Sequence, residues 1–352
     1  MISKIFLFLA IFASNNFVHA DEPQVDVLVI LPLTGDLAQI GNAVRNGMEM
    51  AIKKTTHLNV LFEDDGGQPK NTVSALKKNL ALKTPKIVIT ASSGTSKAIV
   101  PILEEMKIPL FAIATDDQIS QGKKFAMNFW ATPDDEAREL VQEAMRRGYK
   151  SIAVFSTVHE GTMSILRKFN EANQNQLKVV YSEEFPLEIK DFRSIITRFK
   201  AKNLKVDGIF ANVFFGQVGL FAKQLRQFGV TQPLFAIELF EDTNEVELSG
   251  GALVDQWYLQ ADDTNGDFLE RYSKLYPNQS SFGAANGYDS IMLIEKAASE
   301  NNLDSVKINN FLHEVKNYHG ELGVFSAGPD NRYSLPVAVK VVKKDGFEKI
   351  LK

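Results

Sequence analysis

The side chains in this 352-residue chain whose types and spacing suit chemistry lie where apolar runs end. Ser92-Ser93-Gly94-Thr95 follows Ile87-Val88-Ile89 and leads into Ile99, Ile102 and Met106 at helical spacing. The free N–H groups of a helix start, with hydroxyls beside them, form a ready anion site. Ala114-Thr115-Asp116 follows the run Leu110 to Ile113, and Glu238 comes directly after Leu234-Phe235-Ala236-Ile237. A carboxylate in a cleft suits a cationic group. Plainer roles exist for each: serines cap helices, Thr115 can cap a turn before Asp116-Asp117, and Glu238 also reads as a solvated loop residue. Capping and ligand binding are compatible, and open α/β sheets bind ligands beyond the carboxyl ends of their strands, where these residues fall. The chemistry in view is recognition of a small charged molecule.

Covalent and metal chemistry find little support. The Walker A, G-x-G-x-x-G, H-E-x-x-H and G-x-S-x-G patterns are missing from the sequence. Ser74-Ala75-Leu76-Lys77 fits S-x-x-K, but it lies in an amphipathic pattern without partner motifs and is a chance match. Asp263-Thr264-Asn265-Gly266-Asp267 looks like half a calcium loop, yet its Gly is misplaced and Lys274 stands where a bidentate Glu is needed. His57, His159, His313 and His319 lack a second His at ligand spacing and read as surface or capping residues. With no Cys, thiol nucleophiles, Cys-ligated metals and a Cys-linked lipid anchor are excluded. No catalytic residue, metal or cofactor is expected, and the chain does not read as an enzyme. Its 39 Lys+Arg against 43 Asp+Glu give a net charge of −4, which offers nucleic acid no basic footprint.

The elements that must position the candidate residues follow an α/β grammar. Val25 to Leu31 is a β-branched run of the kind buried on both faces of a parallel sheet. Asn42 to Lys54 then carries Val44, Met48, Ala51 and Ile52 at helical spacing. Val60-Leu61-Phe62 precedes a helix from about Pro69, Ile87 to Ile89 one from about Thr95, and Leu110 to Ile113 makes a fourth strand. A second series opens with a helix after Pro133-Asp134-Asp135. It continues through strands at Ile152 to Phe155, Leu177 to Tyr181, Gly208 to Phe210 and Leu234 to Ile237, with helices capped at Asp191 and built on Leu220, Leu225 and Phe228. The last hundred residues give a strand at Leu253 to Leu259, helices at Phe268 to Tyr276 and Ala284 to Ser299, and short strands at Leu322 to Phe325, Tyr333 to Val342 and Phe347 to Ile350. These are too few βα units for a third domain. The expected fold is therefore two doubly wound parallel-sheet lobes joined by a hinge that the chain crosses several times. The expected division is 21–133 with 260–325 for the first lobe, and 134–259 with 326–352 for the second.

Residues 1–20 read as a secretory signal peptide. Lys4 gives a positive start, Ile5 to Ala13 is uninterruptedly apolar, and Val18-His19-Ala20 offers a cleavage site before Asp21. Nine apolar residues cannot cross a core of roughly 30 Å. The mature chain is expected to be a soluble periplasmic protein.

Seven motifs in order resemble the type I periplasmic solute-binding proteins of the leucine/isoleucine/valine-binding class, which serve ABC importers. They are Pro32-Leu33-Thr34-Gly35 with Ala38 and Gly41, Asp64-Asp65 with Pro69, Ser92 to Thr95, Ala114-Thr115, Trp130 to Asp135, Asn286-Gly287-Tyr288-Asp289, and Gly320 to Phe325. The resemblance covers essentially the whole mature chain. It implies that the lobes close on an amino acid or similar small polar solute and then dock on a membrane permease, the binding protein being a monomer. It also implies that Ser92, with Ser93 beside it, takes the α-carboxylate, that Ala114 and Thr115 complete the contacts, and that Glu238 receives the ammonium.

Three departures alter the implied pocket. Where leucine-type binders carry tyrosines, this chain has Ile40 before Gly41 and Glu160 before Gly161; Phe214 and Phe215 are candidates for a replacement aromatic wall, or for helix-packing anchors. Trp130 replaces the usual basic residue before Thr-x-Pro. The altered aromatic lid leaves a second reading open, an extracytoplasmic sensing module that presents its ligand state to a receptor or kinase.

Overall fold

A computed structural model describes residues 24–261, 266–344 and 346–350. The signal-peptide segment lies outside the described residues, as does most of Asp263 to Asp267. Fifteen strands and eleven helices alternate among the described residues. In chain order the first half runs β1 (Val25–Leu31), α1 (Ala38–Ile52), β2 (Leu58–Asp64), α2 (Pro69–Leu82), β3 (Ile87–Ala91), α3 (Ser93–Met106), β4 (Leu110–Ile113), β5 (Ala126–Asn128), α4 (Pro133–Arg146), β6 (Ser151–Val158), α5 (Glu160–Asn173) and β7 (Lys178–Pro186). Then come α6 (Arg193–Ala201), β8 (Gly208–Asn212), α7 (Val218–Gln227), β9 (Leu234–Ile237), α8 (Thr243–Leu248), β10 (Trp257–Ala261), α9 (Gly266–Leu275), α10 (Ala284–Ser299), α11 (Ser305–Glu314), β11 (Tyr318–Gly320), β12 (Gly323–Ala327), β13 (Tyr333–Ser334), β14 (Val337–Lys343) and β15 (Gly346–Lys349).

Two large sheets result. The first is wholly parallel in the order β2-β1-β3-β4-β5; the second runs β15-β14-β10-β9-β8-β6-β7, parallel from β10 to β7 with β14 and β15 antiparallel at the edge. Both carry helices on both faces, as the two-lobed α/β expectation requires. The period of two along each strand explains the continuous apolar runs. Val27 and Val29 join the core under α1 and α10, while Leu28 and Ile30 join that under α2 and α3. In the second sheet Leu234 and Ala236 face the α6–α7 layer and Phe235 and Ile237 the α4–α5 layer.

Two glycines set the closest helix packing. A Cβ on Gly47 would lie 1.9 Å from the Ala284 carbonyl oxygen, and one on Gly287 would lie 2.2 Å from that of Val44. Helix α10, late in sequence, is thereby pressed against α1 and the first sheet. The chain passes from the first sheet to the second between β5 and α4, returns between β10 and α9, and passes again between β13 and β14.

Several elements differ from the sequence expectation. Helix α1 begins at Ala38, so Ile40 and Gly41 occupy its first turn instead of a loop. Helices α5, α8 and α11 and strand β5 were not expected. Asp191 does not cap α6 as the N-cap residue; Phe192 holds that place, and Asp191 Oδ1 accepts from the Arg193 amide instead. The strand expected from Leu253 is turn until Trp257, and the one expected over Tyr333 to Val342 breaks at Leu335-Pro336, because Pro336 has no N–H for a ladder.

Candidate functional site

The loops at the carboxyl ends of the two sheets face each other. Between them lies a cavity of about 70 Å³. From the first sheet it is walled by Ser92 and Ser93 at the start of α3, by Ile113, Ala114 and Thr115 after β4, and by Pro32, Leu37 and Ile40 around the start of α1. From the second come His159, Gly161, Thr162 and Ile165 around the start of α5, Phe214 and Phe215 after β8, and Glu238 and Leu239 after β9. Trp130, between β5 and α4, and Phe282, ahead of α10, close the inner side.

The polar groups are few and fixed. Ser92 is the residue before α3 and has φ of 91°, a left-handed value that costs a non-glycine residue energy. Its hydroxyl does not cap the helix; Oγ lies 3.1 Å from Thr95 Oγ1. Ser93 Oγ accepts from the Asp116 amide at 3.2 Å, which ties the α3 start to the loop after β4. The first N–H groups of a helix have no partner within it, so this end of the cavity suits an anion.

Glu238 faces it from the other lobe, also with a left-handed φ, of 57°, and is buried. The Trp130 indole N–H donates to its Oε2 at 2.8 Å. Burial pushes Glu238 up to about 7, against the pull of hydrogen bonds to Glu136 and Trp130, while Glu241 pushes it further up. Glu136, in the first turn of α4, is wholly buried and lies behind Glu238; burial first, then the Glu238 charge, raise it well above the usual carboxylate range. His159 is lowered, chiefly by burial, with Glu160 opposing; its Nδ1 accepts from the Gly161 amide at 3.3 Å and its ring packs 4.4 Å from that of Phe214.

The rest of the wall is apolar and largely aromatic. Phe215 meets Phe282 edge-on at 4.6 Å between ring centroids, and Trp130 meets Phe282 at 5.2 Å. Contacts also cross the mouth of the cleft. Gln39 Nε2 donates to Asp242 Oδ2 at 2.5 Å, and the Arg167 guanidinium donates to Asp117 Oδ1 at 2.6 Å. The arrangement is a closed one.

Eight of the nine residues singled out from sequence thus share one wall: Ile40, Ser92, Ser93, Ala114, Thr115, Phe214, Phe215 and Glu238. Glu160 does not line the cavity; its exposed carboxylate sits at the rim, where a Cβ on Gly94 would lie 3.0 Å from Oε1. It opens α5, and His159 and Gly161 on either side of it reach the cavity instead. Sequence reasoning missed Phe282, Leu37, Leu239, Thr162 and Ile165 as wall residues, and it missed Glu136 altogether. Trp130 carried a signal, because an indole stood where a basic residue was expected. Among the described residues no group of three or more His, Cys, Asp or Glu side chains could hold a metal ion, and no helix is long and apolar enough to cross a membrane.

Two parallel α/β sheets closing on a cavity at their strand ends define a two-lobed solute-binding architecture. The family model described as periplasmic binding protein matches residues 24–347, and the chain belongs to that family. It is 27% identical over 227 residues to the Leu/Ile/Val-binding protein BraC3 of Rhizobium johnstonii, a match spanning 61% of each chain. The chain thus covers somewhat under two thirds of that relative's length. Among solved structures it resembles the leucine binding protein LivK of Thermotoga maritima, with a TM-score of 0.82 at 21% identity over 93% of this chain and 98% of that one. It also resembles a solute binding protein of an ABC transporter from Rhodopseudomonas palustris in complex with 3,4-dihydroxy benzoic acid, with a TM-score of 0.84 at 21% identity over 94% and 96% of the two chains.

Proposed function

We propose that this chain is the extracytoplasmic binding protein of an ABC importer, secreted by a cleaved signal peptide, and that its lobes close on a small carboxylate. The observation that carries this reading is the pairing, across one cavity, of the hydroxyl-lined α3 start with the buried carboxylate of Glu238. Ser92, Ser93 and Thr115 take the ligand's carboxylate, Glu238 takes an ammonium where the ligand has one, and Phe214, Phe215, Phe282 and Trp130 enclose an apolar body. Glu160 guards the rim without touching the ligand. Branched-chain and aromatic amino acids fit this chemistry, and the aromatic acid bound by a neighbour of the same fold adds plain aromatic carboxylates. Segments 129–132 and 335–336 act as hinge crossings between a first lobe of 24–128 with 266–334 and a second lobe built on 133–261 and 337–344. A ligand that touches both lobes favours closure by its differential affinity for the closed state, and the closed monomer presents its surface to a permease.

The test is a thermal-shift and calorimetric screen with L-leucine, L-isoleucine, L-valine, L-phenylalanine, benzoate and 4-hydroxybenzoate. A ligand at 100 times its Kd stabilises by about 2.7 kcal/mol. One-to-one binding by any member supports the reading, and silence across the panel removes it.

A further inference from the structure

Behind Glu238 lies a carboxyl group that ligand contact does not explain. Glu136 is fully buried, and neither of its oxygens meets an N–H or hydroxyl among the described residues. They face the Glu238 carboxyl group within hydrogen-bonding reach. Two carboxyl groups in such contact attract each other only with a proton between them.

The surroundings give that proton no rival. On α4, Asp135 is engaged by Thr132 and by Arg138. After β9, Glu241 lies 3.0 Å from the Lys340 ammonium on β14 and accepts from Tyr258 of β10, so the nearby cation is directed at Glu241. From the cavity the facing titratable group is His159, which burial holds toward neutrality. The Trp130 indole donates to Glu238 alone. The start of α4 also favours a negative charge on the pair over two protons, while burial and the mutual repulsion of two carboxylates disfavour a second charge.

We propose that Glu136 is a protonated acid that donates its hydrogen bond to Glu238, and that this positioning residue sets when Glu238 is charged, so that the cavity selects ligands by charge. In mild alkali Glu238 is a carboxylate and takes an ammonium. In mild acid both groups are protonated, the wall is neutral, and a carboxylate without an ammonium is accepted. Binding an ammonium ligand in mild acid expels the Glu238 proton to solvent. The ligand half of the proposal rests on the solute-binding reading, whereas the proton half does not.

The proton half is tested without ligand, through the emission of Trp130 in a Trp257→Phe background, titrated across neutral pH. A transition near neutrality is expected, absent in Glu238→Gln. Glu136→Gln keeps a donor facing Glu238 and is expected to hold the transition in place, whereas Glu136→Leu removes the donor and moves it upward by about a unit. A downward move of a unit or more in Glu136→Gln would mean that Glu136 is ionised, and would overturn the proposal. Should Glu136→Leu fail to fold, the infrared difference between wild type and Glu136→Gln in mild alkali decides: a carboxylic-acid carbonyl band supports the assignment, and a carboxylate band in its place refutes it. With L-leucine and benzoate as probes, leucine affinity is expected to rise about tenfold per pH unit up to the transition and then level, while benzoate affinity falls above it. Flat profiles for a probe that binds contradict the selector; binding by neither probe counts against the solute reading and leaves the emission result to decide the pair.

Discussion

Glu238→Gln keeps the shape of the side chain and an acceptor for the Trp130 indole while removing the ability to ionise. In the folded, ligand-free chain burial lifts Glu238 from 4.5 to about 7, so between those values the folded state holds a proton that the unfolded state has released. The stabilisation from that proton is complete below pH 4.5 and is lost as the pH climbs to about 7. At about 1.4 kcal/mol for each pH unit of difference, the window amounts to about 3 kcal/mol. Asp289, pushed up to about 7 chiefly by burial, adds a loss of the same sign, but it is present in both proteins and cancels in their difference. Urea unfolding of wild type and variant, each from residue 21 onward and free of ligand, measures that difference at pH 4.5 and at about pH 8. The comparison is expected to move in the variant's favour by about 3 kcal/mol between the two conditions. Parallel pH dependences would refute the assignment of a raised, buried carboxyl group to the cavity wall.

Three further outcomes follow from the geometry. Glu238→Ala leaves an ammonium ligand without its buried counter-charge and is expected to weaken it by about 2–5 kcal/mol, read by calorimetry. Gly47→Val drives side-chain atoms into the Ala284 carbonyl, where even a Cβ would lie at 1.9 Å, and is expected to cost at least about 1–3 kcal/mol, seen as a lower thermal midpoint. Arg167→Ala removes a partly exposed contact to Asp117 across the cleft mouth and is expected to weaken ligand binding by about 0.2–1 kcal/mol, a difference that shrinks as salt is added.

The parts of the fold legible in the sequence were those with strong local periodicity. Val25 to Leu31 and Leu234 to Ile237 announced strands buried on both faces, and Ala284 to Ser299 read as a helix with the bounds the structure gives. Strand β5 was lost because three residues carry no detectable period. Helix α5 starts at Glu160-Gly161-Thr162, where Gly161 and Thr162 are poor helix formers, and its place is fixed by the His159 cap and by packing of Ile165, Leu166 and Phe169. Most of the site was legible because it sits at strand ends, where topology alone brings Ser92, Thr115 and Glu238 together. Phe282 was not, since it reaches the cavity from a loop that only α10 packing positions. Glu136 was hidden for a different reason. An acid in the first turn of a helix is the expected companion of the dipole, and nothing local says that this one is buried against a second carboxyl group.

The central claim is that a ligand's carboxylate sits at the start of α3 and beside Thr115, enclosed by both lobes. Thr115→Asp places a negative charge at that end of the cavity without altering the Glu238 side. Calorimetry of wild type and Thr115→Asp with whichever panel member binds is the most direct test: affinity is expected to fall below detection in the variant for amino acids and aromatic acids alike. Unchanged affinity in Thr115→Asp would contradict the account.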